Sequence, residues 1–294
     1  MRSPGWLALV LIAACVVDSG GSSTSITTTT PPLTIGTATT TVSFPPGNTE
    51  VAAGCPEVPE FVDAGRVLRL DQPTSDTTTI GLISWQAEQG CERFTFRFET
   101  TEGAPATTPP TIVVDFAESR QVLRIWTAAD STVVTDHLVE TPLVDRMFVV
   151  RGLAGGMYID LHLEGPAQAQ GEISNSPASL TIELQGGVQA FDGTAVYAGN
   201  TVLTAPFDGS QVASATPLEV EGYARVFEAN VHIVATIDGE KVVETSTTAA
   251  DWTETWGEFT SSIQLPRGDV SLFVGEQSPD DGEMTGVTID VTVR

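Results

Sequence analysis

Alternation of apolar and polar residues with a period of two is the feature that most constrains how this chain can fold. In the segment CERFTFRFE, Phe94, Phe96 and Phe98 fall on one face, and charged or polar residues fall on the other. A β-strand places successive side chains on opposite faces, whereas a helix requires a period near 3.6 residues. Similar runs recur at TIGLISW, TIVVDF, VLRIWT, TVVTDHLV, DRMFVVRG, GGMYIDLHLEG and SLTIELQ. Residues 55–187 are therefore predicted to form an antiparallel sandwich or open barrel of about eight or nine strands.

The alternation continues after the glycine-rich stretch GGVQAFDGTAVYAGNTV. Every second residue from Val231 to Ile237 is apolar, and Asp238-Gly239 is a dipeptide that favours a two-residue hairpin turn. Further strands are predicted at EFTSSIQL, DVSLFVGEQ and VTIDVTVR. About seven strands in residues 188–294 suit an immunoglobulin-like sandwich. The predicted fold class is all-β, with two antiparallel β-sandwich domains of which the C-terminal one is immunoglobulin-like.

The N-terminus has a different pattern. Arg2 precedes an apolar stretch from Trp6 to Ala14, which is too short for a bilayer span of about 20 residues and typical of a secretory signal. The segment IAAC, ending at Cys15, resembles the bacterial lipobox. The resemblance implies that residues 1–14 are a lipoprotein signal peptide and that a lipid on Cys15 holds the exported protein on the outer face of the bacterial cell membrane. An ordinary signal with a chance cysteine is the alternative.

Residues 15–54 are dominated by Ser, Thr, Gly and Pro and have no repeating apolar face. Such a segment buries too little surface to offset the entropy of ordering it, which predicts a disordered tether. The remaining cysteines are Cys55 and Cys91. Because two cysteines are left once Cys15 carries the lipid, and because an exported protein folds in an oxidising compartment, a disulfide between them is predicted. A metal site is the weaker alternative, because neither cysteine has a histidine close by in sequence.

Composition and motifs argue against several classes of function. The 38 acidic and 13 basic residues give a net charge of −25, so nucleic acid is not an expected partner. His137, His162 and His232 lie in strand-like runs, on faces predicted to be exposed, without the spacing of metal ligands. The sequence has no GxSxG elbow and no SxxK motif around its single lysine. We therefore predict no catalytic residues, no metal and no cofactor, and a protein that is not an enzyme.

Two short segments are candidate contact sites. DWTETWGEF places Trp252 and Trp256 four residues apart in a loop-like stretch. The favoured interpretation is that one or both fill the end of the sandwich core. Because indole rings stack on sugar rings, a contact with a glycan or a protein partner is the alternative. SPDDGE, residues 278–283, is an acidic turn that is either solvated or a weak calcium ligand.

The first β region resembles the AMIN-like domain of bacterial envelope proteins. The resemblance covers most of residues 60–186 and is carried by the segments RFTFRFE, APATTPPTIVVDF, VLRIW, FVVRGLAGGMYIDLHLEGPAQAQGEI and ASLTIELQ. It implies localisation to the envelope or peptidoglycan binding. Because no hydrolase domain is recognisable beside it, the resemblance does not imply hydrolysis.

The second β region is similar to the immunoglobulin-like Gmad domain named for bacterial spore germination proteins. The similarity spans residues 204–294 and is strongest at Gly222, Ala224, Phe227 and Glu228. Glu228 is interpreted as following Phe227 in a strand and as partly buried. Its carboxylate is expected to be hydrogen-bonded within a turn or strand pair, and a ligand site is the alternative. The resemblance assigns no catalytic residue.

Together these patterns predict a lipid-anchored, non-enzymatic protein of the cell envelope that binds or scaffolds at the cell wall or surface. Its expected partners are the membrane, through lipidated Cys15, and peptidoglycan or another envelope protein. Two alternatives remain open. One is an envelope hydrolase whose site is hidden from sequence spacing, and the other is an extracellular assembly subunit that recruits a protein partner through a strand edge.

Overall fold

A computed structural model describes residue 55 and residues 60–88, 90–279 and 281–294. The signal peptide (1–14), Cys15 and the tether (15–54) predicted above lie outside these residues. The described part of the chain belongs to one compact unit, Thr49–Arg294. It is almost entirely β-structure, as predicted.

The first half of the described chain contains eleven strands. They are β1 (Arg66–Leu70), β2 (Thr79–Glu88), β3 (Cys91–Glu99), β4 (Ile112–Phe116), β5 (Val122–Thr127), β6 (Ser131–Thr132), β7 (Asp136–Leu138), β8 (Val144–Arg151), β9 (Met157–Leu163), β10 (Ala167–Ser174) and β11 (Ser179–Gly186). One sheet has the order β10-β11-β3-β2-β6, and the facing strands run β1-β4-β5-β9-β8, with β7 also paired to β8. Phe94, Phe96 and Phe98 on β3 fill the core between the two sheets, so their predicted inward face is confirmed.

The second half contains nine strands in the described residues. They are β12 (Val196–Ala198), β13 (Thr201–Ala205), β14 (Ser210–Val212), β15 (Leu218–Ala224), β16 (Asn230–Ile237), β17 (Glu240–Thr248), β18 (Trp256–Ile263), β19 (Gly268–Gln277) and β20 (Met284–Val293). The sheet β14-β20-β19-β16-β17 packs against the strands β18-β15-β13-β12. The one helical element among the described residues is a 3-10 turn at Phe227–Ala229. Nowhere in the described ranges is there a helix with the length and apolarity needed to cross a membrane.

The two sandwiches share a sheet. β8 and β18 pair in parallel, with Val150 opposite Trp256 and Arg151 opposite Gly257. The pairing joins the strands β1-β4-β5-β9-β8 to β18-β15-β13-β12. The all-β prediction of two sandwiches is confirmed, and the structure adds that a short parallel ladder connects them.

The structure differs from the predicted strand map at two places. The segment EGPAQAQGEISNSPA is absent from the strands predicted above and contains the glycine, proline and serine typical of turns, but most of it forms β10, which pairs with β11 along its whole length. The buried residues at the start of β10 are Ala167 and Ala169, whose small side chains give a weak apolar signal. TVVTDHLV was predicted to be one strand, but its first residue ends β6 and its DHL residues form β7. The residues between the two strands include Val133, which is 64% exposed.

Two local predictions are confirmed. Cys55 and Cys91 form a disulfide with a Cα–Cα distance of 5.1 Å, which ties Cys55 to the first residue of β3. Asp238 and Gly239 form the two-residue turn between β16 and β17, with φ angles of 52° and 81°. Positive φ at both central residues is typical of the type I′ hairpin turn.

Gly222, one of the residues that carried the Gmad resemblance, has a packing requirement. It lies on β15 between β13 and β18. A Cβ atom at this position would overlap the carbonyl oxygen of Val202 and approach the Phe259 ring to 2.9 Å. Glycine is therefore needed because two neighbouring groups approach the backbone closely.

Candidate functional site

The connection between β15 and β16 turns the chain outward at one end of the C-terminal sandwich. Phe227 and Glu228 are exposed, whereas Val226 and Ala229 on either side of them are buried. The φ angles of Glu228 and Ala229 are 53° and 58°, in the left-handed region that residues other than glycine seldom adopt. The Ala229 N–H donates to the Val226 carbonyl at 3.1 Å, and the Ala249 N–H donates to the Ala229 carbonyl at 2.9 Å. The prediction of Glu228 in a strand is wrong, because this turn places the residue outside the ladder.

Phe227 and Trp252 form an exposed aromatic pair. Their side chains are 56% and 38% exposed, their ring centroids are 5.6 Å apart, and their planes meet at 72°. Asp251 orders the Trp252 loop, because its carboxylate accepts the N–H groups of Trp252 at 2.6 Å and Thr253 at 3.0 Å. Trp256 is 7% exposed and lies between the two sandwiches. Trp252 therefore shares the surface with Phe227 and not with Trp256.

The Asp251 carboxyl is held in its charged form. Burial alone would raise its pKa, but hydrogen bonds from the Thr253 amide, the Thr255 hydroxyl and the Trp252 amide lower that pKa far below its usual range. Asp251 also lies 3.5 Å from the Arg151 guanidinium on β8. The loop that carries Trp252 is thus fixed by contacts in both sandwiches.

A cleft of about 430 Å³ opens beside the Phe227 side chain. Its lining includes Phe227, Glu228, Asn230, His232, Glu276 and Ser278. The Glu276 carboxylate accepts the Phe227 N–H at 3.3 Å, and the Asn230 side-chain amide lies 3.0 Å from Nε2 of His232. Strand pairing of β16 with β19 brings His232 opposite Gly275, next to Glu276. The cleft therefore collects side chains that are far apart in sequence.

The SPDDGE turn closes one side of the cleft. The Ser278 N–H donates to the Glu283 carbonyl at 2.8 Å, the Gly282 N–H donates to the Ser278 carbonyl at 3.0 Å, and the Asp281 carboxylate accepts the Glu283 N–H at 3.1 Å. Asp280 lies outside the described residues. Within the part of the chain that is described, no group of three or more His, Cys, Asp or Glu side chains is placed to hold a metal ion.

A second polar and aromatic cluster, called the joint below, lies between the two sandwiches. Tyr158, Asp160 and His162 occupy the outer face of β9 and are 3%, 0% and 2% exposed. Tyr223 from β15 and Trp256 from β18 pack in the same region. The prediction that His162 is exposed is wrong, because the second sandwich covers the face on which it lies.

Arg124 on β5 neutralises the buried Asp160. Its Nε and one terminal nitrogen each donate to a different Asp160 oxygen at 2.8 Å. The guanidinium carbon lies 3.9 Å from the centre of the Tyr158 ring. A terminal guanidinium nitrogen lies 4.0 Å from a carboxylate oxygen of Glu258 in the C-terminal sandwich. Although burial alone lowers the pKa of Arg124, the Asp160 charge raises that pKa well above its usual value. The ion pair is therefore charged, with Asp160 fully buried and the Arg124 side chain 33% exposed.

His162 is held neutral at the joint. Its Nε2 forms a hydrogen bond with the Tyr223 hydroxyl, and its ring packs at 5.2 Å from Phe148. Burial lowers the pKa of His162 to about 4, although the nearby Asp160 charge acts in the opposite direction. The other histidines lie elsewhere: His137 is exposed and packs against Trp85, and His232 lines the cleft.

Comparison with known proteins identifies part of the chain. Residues 200–283 match a family model described as the immunoglobulin-like domain of bacterial spore germination. The matched segment contains Gly222, Phe227 and Trp252, and it includes most of the cleft. No curated protein and no solved structure matches the chain. The Gmad part of the resemblance is confirmed, and the AMIN-like and lipoprotein parts stay predictions.

Proposed function

We propose that this protein is a lipid-anchored, non-enzymatic component of the cell envelope that binds or scaffolds at the cell wall or surface. The observation that carries the proposal is the exposed Phe227–Trp252 pair beside an acidic cleft, within the segment that matches the immunoglobulin-like family. Aromatic side chains are enriched in the central contacts of binding surfaces. An ordered pair that faces solvent therefore favours recognition of a partner.

The contacts of the polar side chains support binding over bond cleavage. At the cleft, Glu276 accepts a backbone N–H and Asn230 contacts His232. At the joint, His162 is buried, neutral and hydrogen-bonded to Tyr223. A general base has to reach a substrate proton, and His162 is enclosed by both sandwiches. These groups thus have structural partners that account for their positions.

The anchoring part of the proposal is supported by the lipobox resemblance at IAAC. Lipidation of Cys15 would place a segment of 40 residues, Cys15 to Gly54, between the membrane and the β-sandwiches. A flexible chain of this length has a root-mean-square reach of about 35 Å. The tether would therefore present the cleft away from the lipid surface.

Fractionation of cells labelled with palmitate, combined with sedimentation on purified peptidoglycan, tests this function. We expect the full chain to carry the label and to fractionate with membranes. The Cys15→Ala variant should lose both properties. Purified protein beginning at Thr49, the start of the compact unit, should sediment with peptidoglycan.

The control for sedimentation is an unrelated folded protein of similar size and negative charge, since charge alone changes association with the wall. Palmitate label that persists in the Cys15→Ala variant would contradict the anchoring. Retention no greater than that of the control protein would contradict binding at the wall.

A further inference from the structure

We propose that the cleft beside Phe227 and Trp252 binds an arginine or lysine side chain of a partner polypeptide. The inference rests on the proposed binding function and adds the chemistry of the partner. Three properties of the described residues carry it: the charge of the cleft, the geometry of the aromatic pair and the position of an edge strand.

The cleft is acidic. Glu228 and Glu276 line it, and Asp281 and Glu283 lie in the turn that closes one side. Among the described residues that line the cleft, His232 has the only basic side chain. With a net charge of −25 on the whole chain, the field steers a cationic group toward such a surface. Charge complementarity therefore selects a cation as the occupant.

The aromatic pair offers a second contact for the same cation, because Phe227 lines the cleft and Trp252 packs against Phe227 beside it. Because the planes of Phe227 and Trp252 meet at 72°, the pair forms a corner. A sugar ring stacks best on a flat aromatic face. Two rings that meet at such an angle do not form one continuous flat surface. A guanidinium or ammonium group is attracted to a ring face, and its methylene stem packs against a neighbouring apolar surface. The corner thus fits a long basic side chain better than it fits a glycan.

The cleft is also formed before any partner binds. Glu228 and Ala229 hold the left-handed turn that points Phe227 outward, and the Glu276 carboxylate receives the Phe227 N–H. Asp251 fixes the beginning of the Trp252 loop. A contact surface that is already ordered loses less entropy on binding.

The neighbouring strand favours a polypeptide as the source of the cation. β17 is the edge strand of the sheet β14-β20-β19-β16-β17, and its last residue, Thr248, lies opposite Asn230 at the cleft. An edge strand offers backbone N–H and carbonyl groups to an added extended chain. A peptide that follows this edge past Thr248 would bring a long basic side chain to the Glu228 side of the cleft, whereas Glu276 lies on β19, on the far side of β16.

Fluorescence anisotropy with two matched peptides tests the proposal on the full chain in detergent. The probe is the labelled peptide Gly-Ser-Arg-Gly-Ser-Arg-Gly-Ser, and its comparison peptide has citrulline, the uncharged isostere, in place of both arginines. We expect the arginine peptide to bind about tenfold more tightly at 0.15 M salt. Trp252→Ala, and separately the pair Glu228→Gln with Glu276→Gln, should each weaken binding about fivefold.

The matched control removes two carboxylates elsewhere. Glu118 and Glu172 are exposed, lie outside both the cleft lining and β17, and give the same change in net charge when both are replaced by glutamine. This control pair should change the affinity less than about twofold, as expected for a contact that is local and not set by net charge. Equal binding of the citrulline peptide, or an equal loss in the control pair, would overturn the proposal. Circular dichroism and the unfolding midpoint of each variant identify any loss that comes from misfolding.

The two proposals fail in different ways. If the full chain is anchored and retained on peptidoglycan but does not distinguish arginine from citrulline, the cleft proposal is wrong and the envelope function stands. If the peptides are distinguished as expected but neither anchoring nor retention is seen, the envelope function is wrong and the cation site stands.

Discussion

Replacing Arg124 with methionine is expected to lower the free energy of unfolding by about 3–5 kcal/mol. Asp160 has no exposed surface, and both of its oxygens accept hydrogen bonds from Arg124. Without the guanidinium, the Asp160 carboxylate would remain buried with no cation to compensate it. Equilibrium unfolding in urea, followed by circular dichroism, measures the effect.

The double variant Arg124→Met with Asp160→Leu is expected to recover most of the lost stability, because it removes both charges from the joint. Arg69→Met is the matched control. Arg69 forms an ion pair with Asp71 at 2.8 Å, but both side chains are more than half exposed, so we expect no measurable change. A double variant as unstable as Arg124→Met would contradict the assignment of the effect to the unpaired Asp160.

Acidification from pH 7 to pH 4 is expected to lower the free energy of unfolding by roughly 3 kcal/mol through His162 alone. In the folded state burial lowers the pKa of His162 to about 4, whereas the unperturbed value is 6.5. Between these values the unfolded chain binds a proton that the folded chain does not bind. Stability from His162 is therefore complete above the unfolded pKa and is lost as the pH falls through this window. Urea unfolding at a series of pH values measures the slope.

The His162→Gln variant should give a flatter profile between pH 6.5 and pH 4, since it retains hydrogen-bonding capacity but cannot titrate. His137→Gln is the control and should keep the wild-type slope, because His137 is exposed. The Asp251 carboxyl, whose pKa is lowered by its hydrogen bonds, loses its stabilising contribution only in stronger acid. Equal slopes for wild type and His162→Gln would contradict the role given to this histidine.

The joint and the cleft are connected through one loop. Asp251 precedes Trp252 and lies 3.5 Å from Arg151 at the end of β8. On the same side, the Leu153 N–H donates to the Glu258 carboxylate at 2.8 Å. The first sandwich thus supports the loop that presents Trp252. The exposed aromatic pair therefore depends on the arrangement of both sandwiches.

Much of the fold was predictable because its strands carry an alternating pattern, and because Asp238-Gly239 marks a hairpin. The outer face of β9 was not predictable in the same way. Alternation places Tyr158, Asp160 and His162 on the face opposite the core. The pattern does not tell whether that face contacts water or is covered by a second sandwich. Only the packing of Tyr223 against this face shows that it is buried.

The candidate site was predictable only in part. Trp252 was one of two candidate contacts for which a core position was favoured, and Phe227 entered only as a mark of family resemblance. Their pairing depends on the left-handed turn at Glu228 and Ala229, for which the sequence has no glycine as a signal. Glu276 joins the cleft through the register of β19 with β16, which alternation does not specify. A signal that could have suggested Phe227 is its large apolar side chain directly before a charged residue at a strand end.

The most direct test of the central claim, binding of a basic polypeptide at the cleft, is photo-crosslinking in native membranes. A photoreactive benzoylphenylalanine replaces Glu254, which is exposed in the Trp252 loop, so both aromatic rings of the site remain. The same group at Leu82, which is 52% exposed on β2, is the control. We predict that position 254 gives a discrete product whose linked peptide contains arginine or lysine within a few residues of the attachment point. A yield at position 254 no higher than at position 82, or a linked peptide without basic residues, would contradict the account.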